Sequence, residues 1–213
     1  MRREHRFMNA LGYAVYIIVH PFKGFWDIKR EGKGTLRAAI VMYAALAVSF
    51  LFRRQLTAYL FNPYETEHMN LFFEVVSVLA PYLLWSVSSW CITTLMDGEG
   101  SFYDIFKATG YALFPMIAAN ILSTLLSLTF TQNEQTFYQM VLTIGTAWTY
   151  LLLFLGMVIT QQYTVKKSLL TTVITILGML IIVFLLIMMF FLVQQVVGFV
   201  QEIWMEFSLR LAE

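Results

Sequence analysis

Gly178-Met179-Leu180-Ile181-Ile182-Val183-Phe184-Leu185-Leu186-Ile187-Met188-Met189-Phe190-Phe191-Leu192-Val193 contains no charge and no polar side chain. A stretch that apolar is stable only where hydrocarbon surrounds it. Extended outward, the apolar run reaches from about Leu169 to Val197, longer than the roughly 20 residues a helix needs to cross a bilayer. Four further runs precede it: about Leu36 to Phe52, Leu71 to Met96, Ala108 to Phe130, and Phe137 to Tyr163. Short polar segments separate them, namely Asn62-Pro63-Tyr64-Glu65, Asp97-Gly98-Glu99-Gly100-Ser101, Thr131-Gln132-Asn133-Glu134 and Val165-Lys166-Lys167-Ser168. None of the runs alternates apolar and polar residues, which excludes spanning strands.

Composition agrees. The 213 residues are 59% hydrophobic and 13% charged, against about 25% charge in a soluble domain, and mean hydropathy is +0.70. Apolar runs fill so much of the chain that residues 1–213 read as one membrane domain. Residues 1–35 form an N-terminal segment, 36–197 a five-helix bundle and 198–213 a tail. A net charge of +1 argues against a nucleic-acid partner, which calls for a strongly basic face. The single cysteine, Cys91, has no partner for a disulfide and no companions for a metal site.

Lys and Arg set the orientation. The side holding the N-terminal segment and the Asp97 and Lys166 loops carries Arg2, Arg3, Arg6, Lys23, Lys29, Arg30, Lys33, Arg37, Lys107, Lys166 and Lys167. The other side carries Arg53, Arg54 and Arg210. The N-terminus is therefore expected in the cytoplasm and, after five crossings, the C-terminus outside the cell membrane. The basic start followed by Met8 to Val19 faintly resembles a signal peptide. That stretch ends at His20-Pro21-Phe22-Lys23 without a small-residue cleavage site, and is expected to lie along the membrane surface.

Both flanks look interfacial and amphipathic. In Asn9 to Phe25 and the adjoining Trp26, the aromatic residues Tyr13, Tyr16, Phe22, Phe25 and Trp26 alternate with basic ones. In the tail, Val200, Ile203, Trp204, Phe207 and Leu211 recur at three- and four-residue spacing. Phe25, Trp26, Trp204 and Phe207 are the expected interfacial anchors. Docking of either segment on the bundle is the alternative.

No Asp, Glu, Lys, Arg or His lies deep inside a run; Arg37 sits at the start of the first and Glu74 at the start of the second, at headgroup depth. Ion-coupled transporters keep ionisable groups within the membrane, and intramembrane proteases need paired carboxylates, a metal or an activated serine. Catalytic, cofactor-binding and metal-ligating residues are therefore expected to be absent. Ser86, Ser88, Ser89, Thr93 and Thr94, then Asn120, Ser123, Thr124 and Ser127, then Thr143, Thr146 and Thr149 supply uncharged polar groups. Such groups commonly hold helices together; a polar path along them is the alternative. Asn120 is the best pointer, because an amide facing lipid has no partner.

The segment Asp97 to Asp104 holds three carboxylates and two glycines. It fits neither a calcium loop nor a phosphate loop. It reads as an exposed turn with Ser101 as the N-cap of a helix and Asp104 at N3. Pro115 predicts a kink or broken turn near Tyr111, with Gly110 and Ala112 admitting a neighbouring helix.

Asp97 to Pro115 resembles the central stretch of the Yip domain family, in which a glycine-rich cytoplasmic loop enters a helix through Gly-Tyr-x-Leu-x-Pro. Gly110, Tyr111, Leu113 and Pro115 match that pattern, and the five-span organisation resembles the family from about Pro21 to Val197. The short ends resemble the bacterial members. Eukaryotic members are implicated in vesicle traffic and in binding Rab-type GTPases, and carry Asp-Leu-Tyr-Gly-Pro near the N-terminus. This chain has His20-Pro21-Phe22-Lys23-Gly24-Phe25-Trp26 there, so Rab-type GTPase binding is not carried over. The expectation is an all-α integral membrane bundle with no enzymatic activity, a scaffold or accessory subunit that binds other membrane proteins, such as those of a transport complex. The alternative is a transporter or channel subunit.

Overall fold

The computed structural model describes residues 12–57, 70–129 and 134–211, with side chains as far as Met205. Its regular structure is entirely helical, with no strand among the described residues. A helix over 12–19 (α1) is followed by α2 (Pro21–Arg30), α3 (Leu36–Leu56), α4 (Leu71–Leu95), α5 (Phe102–Ala112), α6 (Phe114–Ser127), α7 (Gln135–Gln161) and α8 (Val165–Leu211). Five segments are long and apolar enough to cross a membrane: α3, α4, α5 with α6, α7, and α8.

Local chemistry sets the helix ends. Thr35 caps α3 by accepting from Ala38 N at 3.2 Å. Asn70 caps α4 by accepting from Phe72 N and Phe73 N. Such side chains satisfy N–H groups that the first turn leaves orphaned. At the opposite ends of α4 and α7, Asp97 and Gln162 each take the left-handed conformation, φ 55°. The backbone N–H groups of Gly98 and Tyr163 then donate to the carbonyls of Thr93 and Val158, closing both helices in the same way.

Several boundaries differ from the sequence reading. The third span begins at Phe102, not near Ala108, because the Ser101 cap starts the helix before the apolar run does. The first span continues through Arg53 and Arg54 to Leu56. The fifth runs unbroken from Val165 to Leu211, so the tail is the far end of one helix; no proline or capping residue interrupts it at Val197. Arg2, Arg3, Arg6, the Asn62–Glu65 loop, Thr131 to Asn133 and the side chains of Phe207 and Arg210 lie outside the described residues.

The core joins the first helices to the bundle. Ile17, Phe25, Ile28, Leu46, Tyr111, Leu113 and Leu152 are fully buried. Phe25 is therefore not an interfacial anchor. It is 1% exposed, and its ring lies against Gly156 of α7, where an added Cβ would sit 3.3 Å away. Its neighbour Trp26 is half exposed, with the Arg30 guanidinium 5.4 Å from the ring centroid. Glu74 is likewise buried and ion-paired to Arg54, which ties the end of α3 to the start of α4.

Asp27, 2% exposed, anchors the first helices. Its carboxylate accepts from Lys33 Nζ at 2.8 Å and Tyr13 Oη at 2.7 Å. These two bonds hold the carboxyl below its ordinary value of 3.8. A depressed folded pKa gives stability that is present above the unfolded value and lost as pH falls through the folded one. Melting curves of wild type and Asp27→Asn should therefore differ at neutral pH and draw together progressively as the pH falls below 3.8 toward the lower folded value. A gap that stays constant into that acid range would exclude the ionised pair.

Candidate functional site

The Asp97–Ser101 loop, the broken third span and the end of α7 meet at one end of the bundle. Ser101 accepts from Asp104 N at 3.3 Å, and the Asp104 carboxylate accepts from Ser101 N and Ser101 Oγ. This reciprocal capping starts α5. Lys107 Nζ reaches the same carboxylate at 2.8 Å. Glu99 points elsewhere, lying 3.6 Å from Lys29 Nζ and 3.7 Å from the Arg30 guanidinium. The acidic residues of the loop thus serve separate partners. Among the described residues no three His, Cys, Asp or Glu side chains converge.

The loop is latched to α7. Gln161, 1% exposed, accepts from Gly100 N through Oε1 at 2.9 Å. Tyr163 Oη donates at 2.9 Å to the carbonyl of Met96, which also receives Lys167 Nζ at 2.7 Å. Burial pushes the Tyr163 phenol up, with the Asp97 charge adding to it. Lys29 Nζ, arriving from α2, donates to the Thr160 carbonyl at 2.6 Å. Three segments distant in sequence are fixed together here.

The latch explains both loop glycines. A Cβ on Gly98 would fall 2.3 Å from Gln161 Oε1 and 2.8 Å from Tyr163 Oη; one on Gly100 would fall 2.8 Å from Gln161 Nε2. Gly98→Ala should lower thermal stability by about 1–3 kcal/mol, the usual cost of forcing an extra carbon into packed structure. Pairing it with Gln161→Ala should recover part of the loss, because the atom it strikes is gone. A double mutant whose losses simply add would refute the latch.

The break in the third span falls at Leu113. Its N–H bonds to the carbonyl of Gly110, three residues back, and α6 restarts at Phe114 with Pro115 at N2. Pro115 has no N–H to return to Tyr111, so the helix is interrupted where the sequence placed the kink. At the break Gly110 lies against Ala39 of α3, where an added Cβ would stand 2.9 Å from the alanine Cβ. Tyr111 and Leu113 are fully buried, and Tyr111 Oη accepts from Thr35 N at 3.4 Å.

Asn120 lies deeper and apart from the loop. It faces the bundle, 1% exposed, and its Nδ2 donates to Ser49 Oγ at 3.3 Å. Its Oδ1 is buried without a partner. Ser123, Thr124, Thr146 and Thr149 return their hydroxyls to carbonyls three or four residues back. Ser88 donates across to the Thr175 carbonyl of α8 at 2.7 Å. Of the expected interfacial residues, Trp26 and Trp204 are exposed.

Gln161, Tyr163, Lys167 and Lys29 are the partners that sequence reading did not assign to the loop. The Gln161-Gln162-Tyr163 run closing an apolar span was their one visible sign.

These features define a multi-pass helical membrane protein with a broken third span clamped to a capped loop. The chain belongs to the Yip1 domain family, whose model matches residues 15–205. No curated protein and no solved structure matches the chain.

Proposed function

We propose that this protein is a non-enzymatic scaffold or accessory subunit of a complex in a bacterial cell membrane, with its N-terminus cytoplasmic and its C-terminus outside. The reading rests chiefly on α8. At 47 residues the helix is about 70 Å long, more than twice the roughly 30 Å hydrocarbon core. None of its most apolar window is buried by the rest of the chain, and beyond its own helix backbone and chain neighbours Gly198 has no atom within 4 Å of where a Cβ would stand. A helix upright in the membrane would carry Phe199, Val200, Ile203 and Trp204 past the bilayer into water. An apolar surface placed there calls for a protein partner.

The polar groups of the spans support the same reading. Most are engaged within the bundle, and the Asp, Glu, Lys and Arg residues of the spans sit toward their ends, so the means of ion coupling are weak. The alternative, a transporter or channel subunit, rests on the unpartnered Asn120 Oδ1.

Purified protein in liposomes should pass no solute, and photoreactive groups at Val200 and Trp204 should capture one defined neighbour in native membranes. Flux from the protein alone, with no specific crosslink from α8, would overturn the proposal. Orientation has its own test. Reporter fusions after Lys33, Gly100 and Lys167 should read cytoplasmic, and those after Glu65, Asn133 and Glu213 external. A cytoplasmic reading at Glu213 would exclude five crossings.

A further inference from the structure

A cavity of about 650 Å³ lies within the membrane-spanning part of the bundle. Phe50 of α3, Tyr82 and Trp85 of α4, Met116 of α6, Leu153 of α7 and Met179 of α8 are among its walls. It exists because α8 leans on α4 and stands off α7. Ser88 bonds the Thr175 carbonyl, and Gly178 sits against Ser88. On the α7 side, Thr172 meets Met157 Sδ only at 3.7 Å.

A cavity of this size does not stay empty. Protein interiors hold few voids larger than a water molecule. Its size instead falls in the range of small-molecule sites.

The lining says what fills it. No Asp, Glu, Lys, Arg or His lines it. Tyr82 Oη donates to Met116 Sδ at 2.9 Å, Ser77 Oγ to the Glu74 carbonyl and Thr172 Oγ1 to the Ser168 carbonyl. A water molecule needs two to four polar partners; these three hydroxyls already direct their protons elsewhere, which leaves Tyr150 Oη and Trp85 Nε1 as the other side-chain donors among mostly apolar walls. The walls therefore favour an apolar occupant. The cavity reaches along α8 from Thr172 to Leu180, about 12 Å of helix. The space opens toward the lipid around the spans, and a hydrocarbon chain is the apolar body that the bilayer itself supplies there.

We propose that this cavity is a binding site for one acyl chain of a membrane lipid, which enters between α7 and α8. The inference is independent of the scaffold reading above. The full chain would be reconstituted in vesicles of phosphatidylethanolamine and phosphatidylglycerol doped with a phospholipid bearing a mid-chain diazirine. After photolysis, labelled residues would be mapped by mass spectrometry. Label should concentrate on Trp85, Leu153 and Met179 over the outward-facing Leu151 and Phe184. Ile176→Trp, which fills the cavity from α8, should cut label at the lining residues about tenfold, because the indole takes the space the acyl chain would occupy. Label at Leu151 and Phe184 should not change. Met179→Trp fills the same space from another position and serves should the first variant fail to fold. Equal label on lining and outward residues of the wild type would mean annular lipid alone and would overturn the proposal. So would a crosslink from the lining to a second copy of the chain.

Discussion

Phe25→Ala is expected to lower the stability of the purified protein by about 3–5 kcal/mol, the cost of truncating a fully buried aromatic ring. An aromatic residue lying among headgroups would lose little in detergent. Phe25 instead enters the bundle from α2 and fills space beside Gly156 of α7. The neighbouring Trp26→Ala should cost far less, because Trp26 is half exposed. Thermal melts of the two variants side by side decide the matter. Similar small losses for both would mean that α2 lies on the membrane surface.

Tyr111→Ala should cost a comparable amount, about 3–5 kcal/mol, and Tyr111→Phe about 1 kcal/mol or less. The hydroxyl accepts one long bond from Thr35 N, at 3.4 Å, and a bond of that kind contributes about 1 kcal/mol at most. The ring is fully buried between the turn that starts α3 and the break in the third span. Its loss should loosen both, and Tyr111→Ala should also increase proteolysis after Lys33 or Arg37. Equal losses for the two substitutions would show that the hydroxyl, and not the ring, holds the motif.

Much of the architecture was legible because membrane helices answer to simple rules. Twenty apolar residues in sequence leave hydrocarbon as the only solvent, so all five crossings were visible, as was the break that Pro115 causes at Leu113. The Ser101–Asp104 capping box was visible because its chemistry is local, complete within four residues. The N-terminal start of the third span was misplaced because hydropathy records where water ends, whereas the helix begins at its cap. Phe25 was misplaced because an aromatic ring beside lysines reads alike at a headgroup and in a buried wedge. Only the position of Gly156, far away in sequence, distinguishes them.

The sequence by itself determined the class of protein, the number of crossings, the capped loop and the interrupted third helix, since each follows from composition or from neighbours along the chain. Tertiary structure alone decided that the loop is latched by Gln161 and Tyr163, that Asn120 faces Ser49, that α2 is wedged into the bundle, and that α8 stands off α7 to leave a cavity. Each of those is a contact between residues remote in sequence, and such a contact leaves no periodic or compositional trace in either segment.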